Sequence, residues 1–174
     1  GLVLGYVQSG KTANYSALIA KSADVGYRLV IVFAGMDNGL RRQTQIRLNK
    51  EIVGHIGGNE GFVSLPPIGK RWHQLTTANI DGDFRPGNVN HGQLQGSQPV
   101  LIVAKKNSDV LERLANWLNG APGDIKSKLP VLVIDDEADQ ASVDTQGTYQ
   151  TENDSINIEG EYTKPSTINR LIRE

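Results

Sequence analysis

Gly5-Tyr6-Val7-Gln8-Ser9-Gly10-Lys11-Thr12 carries the clearest chemistry in the chain. Two glycines five positions apart, followed by Lys and a hydroxyl residue, form a phosphate-loop pattern. A nucleoside triphosphate is densely anionic, so a loop that binds it must wrap it with backbone N–H groups. Gly5 and Gly10 permit the dihedral angles and the close approach that this requires, with Gln8 and Ser9 in the same cradle. A helix starting near Lys11 turns its positive end toward the phosphates. Lys11 can reach the β and γ phosphates as a mobile point charge, and Thr12 can offer its hydroxyl to Mg²⁺. A glycine-rich turn can match the pattern by accident, so the flanks decide. Leu2, Val3 and Leu4 read as the end of a buried strand, and Ala13 to Ser22 reads as a helix with Leu18, Ile19 and Ala20 at apolar positions.

A second candidate centre closes another apolar run. Val131-Leu132-Val133-Ile134 passes directly into Asp135-Asp136-Glu137-Ala138-Asp139. A phosphate-loop enzyme needs a carboxylate opposite its Lys to hold Mg²⁺, directly or through water. A neighbouring carboxylate can orient or deprotonate the attacking water. Asp136-Glu137-Ala138-Asp139 spells the second motif of the DEAD-type motors, an alignment that assigns Asp136 to the metal and Glu137 to the water. Asp135 follows the strand immediately and is the alternative metal carboxylate. An acidic loop over a helix start would look the same in isolation; the phosphate loop upstream sets this one apart.

Strand and helix patterns alternate around these motifs, which predicts an α/β fold with a mostly parallel sheet flanked by helices. Arg28 to Ala34, Val100 to Ala104 and Val131 to Ile134 are near-continuous apolar runs, as expected of strands buried on both faces. Helices are expected over Leu40 to Val53, from an N-cap at Ser108 to about Asn119, and in a short last segment capped by Ser166 or Thr167. From about 54 to 98 glycine, proline and polar residues dominate, with Phe62, Trp72 and Phe84 as isolated anchors, and the stretch reads as an irregular insertion. In a parallel sheet, ligands bind at the carboxyl ends of the strands. Gly5–Thr12, Gly35–Gly39, Lys105–Asn107 and Asp135–Asp139 would then all lie on one edge.

Composition narrows the classes. The chain has 174 residues and a formal net charge of −1, so any nucleic-acid surface must be local. Asn38, Arg41 and Arg42, and further on Lys105 and Lys106, are the candidates for backbone contacts to DNA; a solvated basic helix face is the plain alternative. No cysteine is present, which excludes disulfides, thiolate zinc sites and thiol catalysis and fits a reducing, cytoplasmic setting. No apolar run approaches the roughly 18 residues that span a bilayer. His55, His73 and His91 lack metal-ligand spacing and read as ordinary loop histidines. The chain opens inside a strand and stops inside a helix, so a piece of a larger protein, a single lobe truncated at both ends, is expected.

The phosphate loop, Arg41-Arg42-Gln43-Thr44, Lys105-Lys106-Asn107 and Ile134-Asp135-Asp136-Glu137-Ala138-Asp139-Gln140-Ala141-Ser142 together resemble the Z-one domain family. Its members are large bacterial proteins that carry an endonuclease label, are linked to DNA restriction, repair or defence against phage, and resemble superfamily 2 helicase-type ATPases. The resemblance spans essentially the whole chain and implies a RecA-like first motor lobe, with ATP and Mg²⁺ as ligands and DNA as partner. It also implies a second lobe with an arginine finger and a Thr-Ala-Thr-Pro type motif, neither of which lies within this sequence. The isolated chain is therefore expected to bind ATP weakly and to hydrolyse it poorly. No nuclease centre is readable: Asp81 and Asp83 lack a strand with a carboxylate–Lys pair. Two other classes share a phosphate loop. A kinase or nucleotide-metabolism enzyme would consume ATP in response to a small acceptor, and a nucleotide switch would bind ATP without turnover.

Overall fold

The computed structural model describes residues 1, 11–54, 71–138 and 167–173. The expected strand at Leu2–Leu4, the loop residues Gly5, Gln8, Ser9 and Gly10, and His55, Phe62 and Asp139 lie outside them.

Among the described residues the fold is α/β. Helix α1 (Lys11–Asp24) leads to strand β1 (Leu29–Ala34) and helix α2 (Asn38–Leu48). The two-residue strand β2 (His73–Gln74) precedes β3 (Val100–Ala104), α3 (Ser108–Asn119), the single turn α4 (Gly123–Lys126), β4 (Val131–Asp136) and α5 (Thr167–Arg173). The four strands form one sheet in the order β2-β3-β1-β4, and every pairing is parallel.

Side-chain alternation along the strands divides the core in two. Leu29, Ile31 and Phe33 of β1 and Val100, Ile102 and Ala104 of β3 face α3, meeting Val110, Leu111, Leu114 and Trp117; Ile168, Leu171 and Ile172 of α5 pack against the same layer. Val30, Val32, Ala34, Leu101 and Val103 face the other way, onto Ile19 of α1 and Leu48 of α2. Each buried Val, Leu or Ile contributes about 1.5–3 kcal/mol, so β1 and β3, buried at every position, anchor the fold.

The expected strand β4 runs two residues further than its apolar run and is not buried on both faces. It pairs with β1 alone among the described strands, and Val131 and Val133 are 39% and 50% exposed. Leu132 and Ile134, on the opposite face, pack with α1 and α2.

Helix ends follow local chemistry. The Tyr27 N–H bonds to the Ser22 carbonyl and the Gly26 N–H to Ala23, with Gly26 at φ 102, a glycine-terminated C-cap for α1. Helix α2 starts earlier than its apolar pattern suggests, because the Asp37 side chain caps it by accepting from Leu40 N–H at 2.9 Å. It ends earlier too: Asn49–Val53 widens into a π turn closed by Gly54. Helix α3 is capped by Asn107 rather than Ser108; its Oδ1 accepts from the Asp109 and Val110 N–H groups at 3.1 and 3.3 Å.

The described part of the stretch expected to be irregular, residues 71–98, is folded onto the sheet. β2 pairs with β3, and Phe84 is fully buried with its ring edge-on to Trp117 at 5.4 Å between centroids. His91 stacks on the same indole at 4.8 Å, and its Nε2 lies 2.7 Å from the Trp117 carbonyl, so this histidine is part of the packing. Sequence periodicity misses β2 because two residues are too few to show alternation.

Candidate functional site

The carboxyl ends of β1, β3 and β4 meet on one edge, as parallel pairing requires. Phe33 is level with both Ala104 and Asp135, and Ala34 is level with Asp136. Three of the four expected segments, Gly35–Gly39, Lys105–Asn107 and the start of Asp135–Asp139, thus adjoin. The Lys106 N–H donates to the Gly35 carbonyl at 2.8 Å and closes the gap between β3 and β1.

Asp135 and Asp136 are the last residues of β4, so they project to opposite faces. Asp136 shares its face with Leu132 and Ile134 and is turned toward α1, where its Oδ2 accepts a hydrogen bond from the Tyr15 hydroxyl at 3.0 Å. Its Oδ1 accepts from the Glu137 N–H at 3.1 Å. Asp135 is on the α3 side and forms an ion pair with the Lys106 ammonium, Nζ to Oδ1 at 2.7 Å. Lys106 also donates to the Glu137 carbonyl. Glu137 has φ 54, the one non-glycine residue in the left-handed region among those described. Such a conformation is sparsely populated for a residue with a Cβ and marks a turn held by its surroundings.

Helix α1 begins at Lys11, with Thr12 second. Tyr15 stands one turn further along. The tie from Tyr15 to Asp136 therefore sets the first turns of α1 against the acidic end of β4. Sequence reasoning missed Tyr15, although its place four residues after Lys11 was a usable signal.

The basic candidates separate into two groups. Asn38 and Arg42 are exposed at the start of α2, and Lys105 is half-buried. Arg41 and Lys106 do not lie on that surface: both side chains are 0% exposed. Arg41 donates from Nη1 to the Thr77 carbonyl at 2.9 Å and to Gly82 at 3.4 Å, and from Nη2 to Asn79 at 2.9 Å. The Asp83 carboxylate lies 3.8 Å from its Nε. Burial lowers the Arg41 pKa from its usual value, against the raising effect of Asp83. Burial raises that of Asp83, against its hydrogen bond from Phe84 N–H and the nearby Arg41 charge.

A neutral network continues this tie. Thr76 Oγ1 donates to Gln45 Oε1 at 2.7 Å and accepts from the Val103 N–H at 2.8 Å, while Asn49 Oδ1 accepts from Gln45 and Gln74. Helix α2 is thereby fastened to β2, β3 and the segment between them. Beyond β2 lies an open polar cleft of about 350 Å³, lined by Gln74, Thr77, Asn79, Asp83, Asn88 and Gln93 among others.

Among the described residues no group of three or more His, Cys, Asp or Glu could hold a metal ion. No helix among them is long and apolar enough to cross a membrane. Compared with protein-family models, with curated proteins and with solved structures, the chain matches none.

Proposed function

We propose that the chain is the ATP-binding first motor lobe, RecA-like, of a helicase-like ATPase of the Z-one type that acts on DNA, in restriction, repair or phage defence. One observation carries the reading. Asp136, at the end of a parallel strand, is hydrogen-bonded to Tyr15 of the helix that opens with Lys11 and Thr12. A strand-end carboxylate set against the first turns of a helix with that opening is what a magnesium nucleotide needs.

The donor set fits Mg²⁺ without a three-ligand protein cluster. This ion is ordinarily held by one or two carboxylates, with substrate phosphates and waters completing its shell. Thr12 and Asp136 would hold it, and it would supply charge neutralisation at the transferring phosphoryl group. Asp136 is favoured over Asp135 because Asp135 is on the opposite face and paired with Lys106. Gly5, Gln8, Ser9, Gly10 and Lys11 bind the phosphates. Glu137 takes the proton of the attacking water. Asn38 and Arg42, with Lys105, supply contacts to the DNA backbone at the same edge of the sheet.

The polar cleft beyond β2 favours a second reading, a phosphate-loop enzyme acting on a small acceptor, since its volume suits a small polar molecule. Steady-state ATP hydrolysis by the intact protein separates the two. It is measured with single-stranded, double-stranded and no DNA across a salt series, with wild type beside Lys11→Ala. The expected result is stimulation by DNA that fades as salt rises, and loss of both nucleotide binding and hydrolysis in Lys11→Ala. Hydrolysis indifferent to DNA supports the small-acceptor enzyme. ATP binding without turnover supports a nucleotide switch, and a Lys11→Ala protein that binds ATP normally overturns the phosphate-loop assignment.

A further inference from the structure

Lys106 is the fully buried cation nearest the candidate site, and charge balance alone does not explain it. Its ammonium must lie out of water, which is costly unless well compensated. It belongs to the segment after β3, yet both partners named here are on β4 and its continuation, with β1 between. Neighbouring strands are about 4.8 Å apart, so the side chain crosses the end of β1 to bridge roughly two spacings. Only a long, flexible cation does this; an apolar pair of similar volume would often be as stable. The second contact is the informative one. It goes to the backbone carbonyl of Glu137, the residue at φ 54.

We infer that Lys106 is a positioning residue: it clamps the backbone turn at Glu137 and so aims that carboxylate at the water it activates. The kinetic consequence rests on the proposed ATPase reading. The ammonium pins the segment from two points, the Asp135 carboxylate before the turn and the Glu137 carbonyl within it. The Gly35 carbonyl fixes the Lys106 backbone in turn. Without the clamp, Glu137 can relax from the left-handed region toward commoner conformations, which swings its side chain. Misplacement of a catalytic group by about 1 Å can cost on the order of 100-fold in rate. Nucleotide affinity, which depends on the phosphate loop, is left intact.

The test removes the ammonium without leaving Asp135 as an uncompensated charge. Lys106→Met combined with Asp135→Asn is compared with wild type for melting temperature, ATP affinity and kcat. The expected result is a melting temperature near wild type, ATP affinity within about threefold, and kcat lower by about 100-fold. If that pair melts below the assay temperature, Lys106→Gln combined with Asp135→Asn carries the same test with a polar filling. A folded variant that turns over at the wild-type rate overturns the inference and leaves the ATPase reading standing. Wild type that neither binds nor hydrolyses ATP overturns both. In a Glu137→Gln background the same change should slow residual turnover no further, because Lys106 acts through Glu137; an undiminished second loss refutes that route.

Discussion

Glu137→Gln is expected to bind ATP as wild type does and to hydrolyse it about a thousandfold more slowly. The substitution changes one oxygen to an amide nitrogen and keeps the side-chain shape. The backbone contacts at this position survive it: the Glu137 N–H still reaches Asp136 Oδ1, and the Glu137 carbonyl still accepts from Lys106. Glutamine meets much the same cost at φ 54 as glutamate, so the turn is not relaxed. What is lost, if Glu137 is the proposed base, is the group that accepts a proton from water. On the proposed reading that loss falls on kcat and leaves binding untouched, because the phosphates are held elsewhere, by Lys11 and the loop before it. Isothermal titration with ATP beside single-turnover hydrolysis separates the two quantities. Normal turnover by Glu137→Gln would refute the assigned base and turn attention to Asp136, whose carboxylate shares the face with α1.

The parallel sheet and the meeting of its strand ends were legible in the sequence, for a physical reason. Strands covered on both faces must be apolar at every position, and β1 and β3 are. Once these two and the apolar run of β4, which is open on one face, alternate with helices, the carboxyl ends have one edge to share. Long-range ties were not legible. Arg41 and Arg42 are adjacent in a basic segment, and nothing local says that Arg41 turns inward while Arg42 stays in water. That difference comes from helical rotation relative to a segment about forty residues later, whose carbonyls receive the guanidinium. Lys106 is the same case, its partners being about thirty residues away. A cation on a strand end reads as a surface group until the chain that buries it is in place. Nor does the motif alone separate Asp135 from Asp136; strand alternation does, since successive residues of β4 face opposite layers.

Arg41→Leu is expected to destabilise the protein by about 3–5 kcal/mol, the usual cost of removing one partner from a buried charged network. For a chain of this length that lowers the melting temperature by roughly 10 °C. Leucine replaces much of the aliphatic volume, so the loss comes from polar groups left behind. The carbonyls of Thr77, Asn79 and Gly82 lose charge-assisted donors, and Asp83 loses the nearest cation to its carboxylate. The deficit also depends on pH, and its sign follows from Asp83. Burial already raises the Asp83 pKa above its unfolded value, with Arg41 among the groups that oppose the rise. A carboxyl that holds its proton more tightly in the folded state contributes stability that is full below its unfolded pKa and is lost as pH rises through its folded pKa. Removing Arg41 raises the folded pKa further, so more stability is lost over that window. Denaturation of wild type and Arg41→Leu should therefore show a gap that widens as pH climbs from the acid side of the carboxylate range toward neutrality. Adding Asp83→Asn to Arg41→Leu should abolish the widening while leaving the part of the deficit due to the three carbonyls that lose the guanidinium, of which Asn79 and Gly82 keep a backbone donor each. A gap independent of pH would mean that Asp83 does not feel the guanidinium 3.8 Å away, and that Arg41 acts through its carbonyl contacts alone.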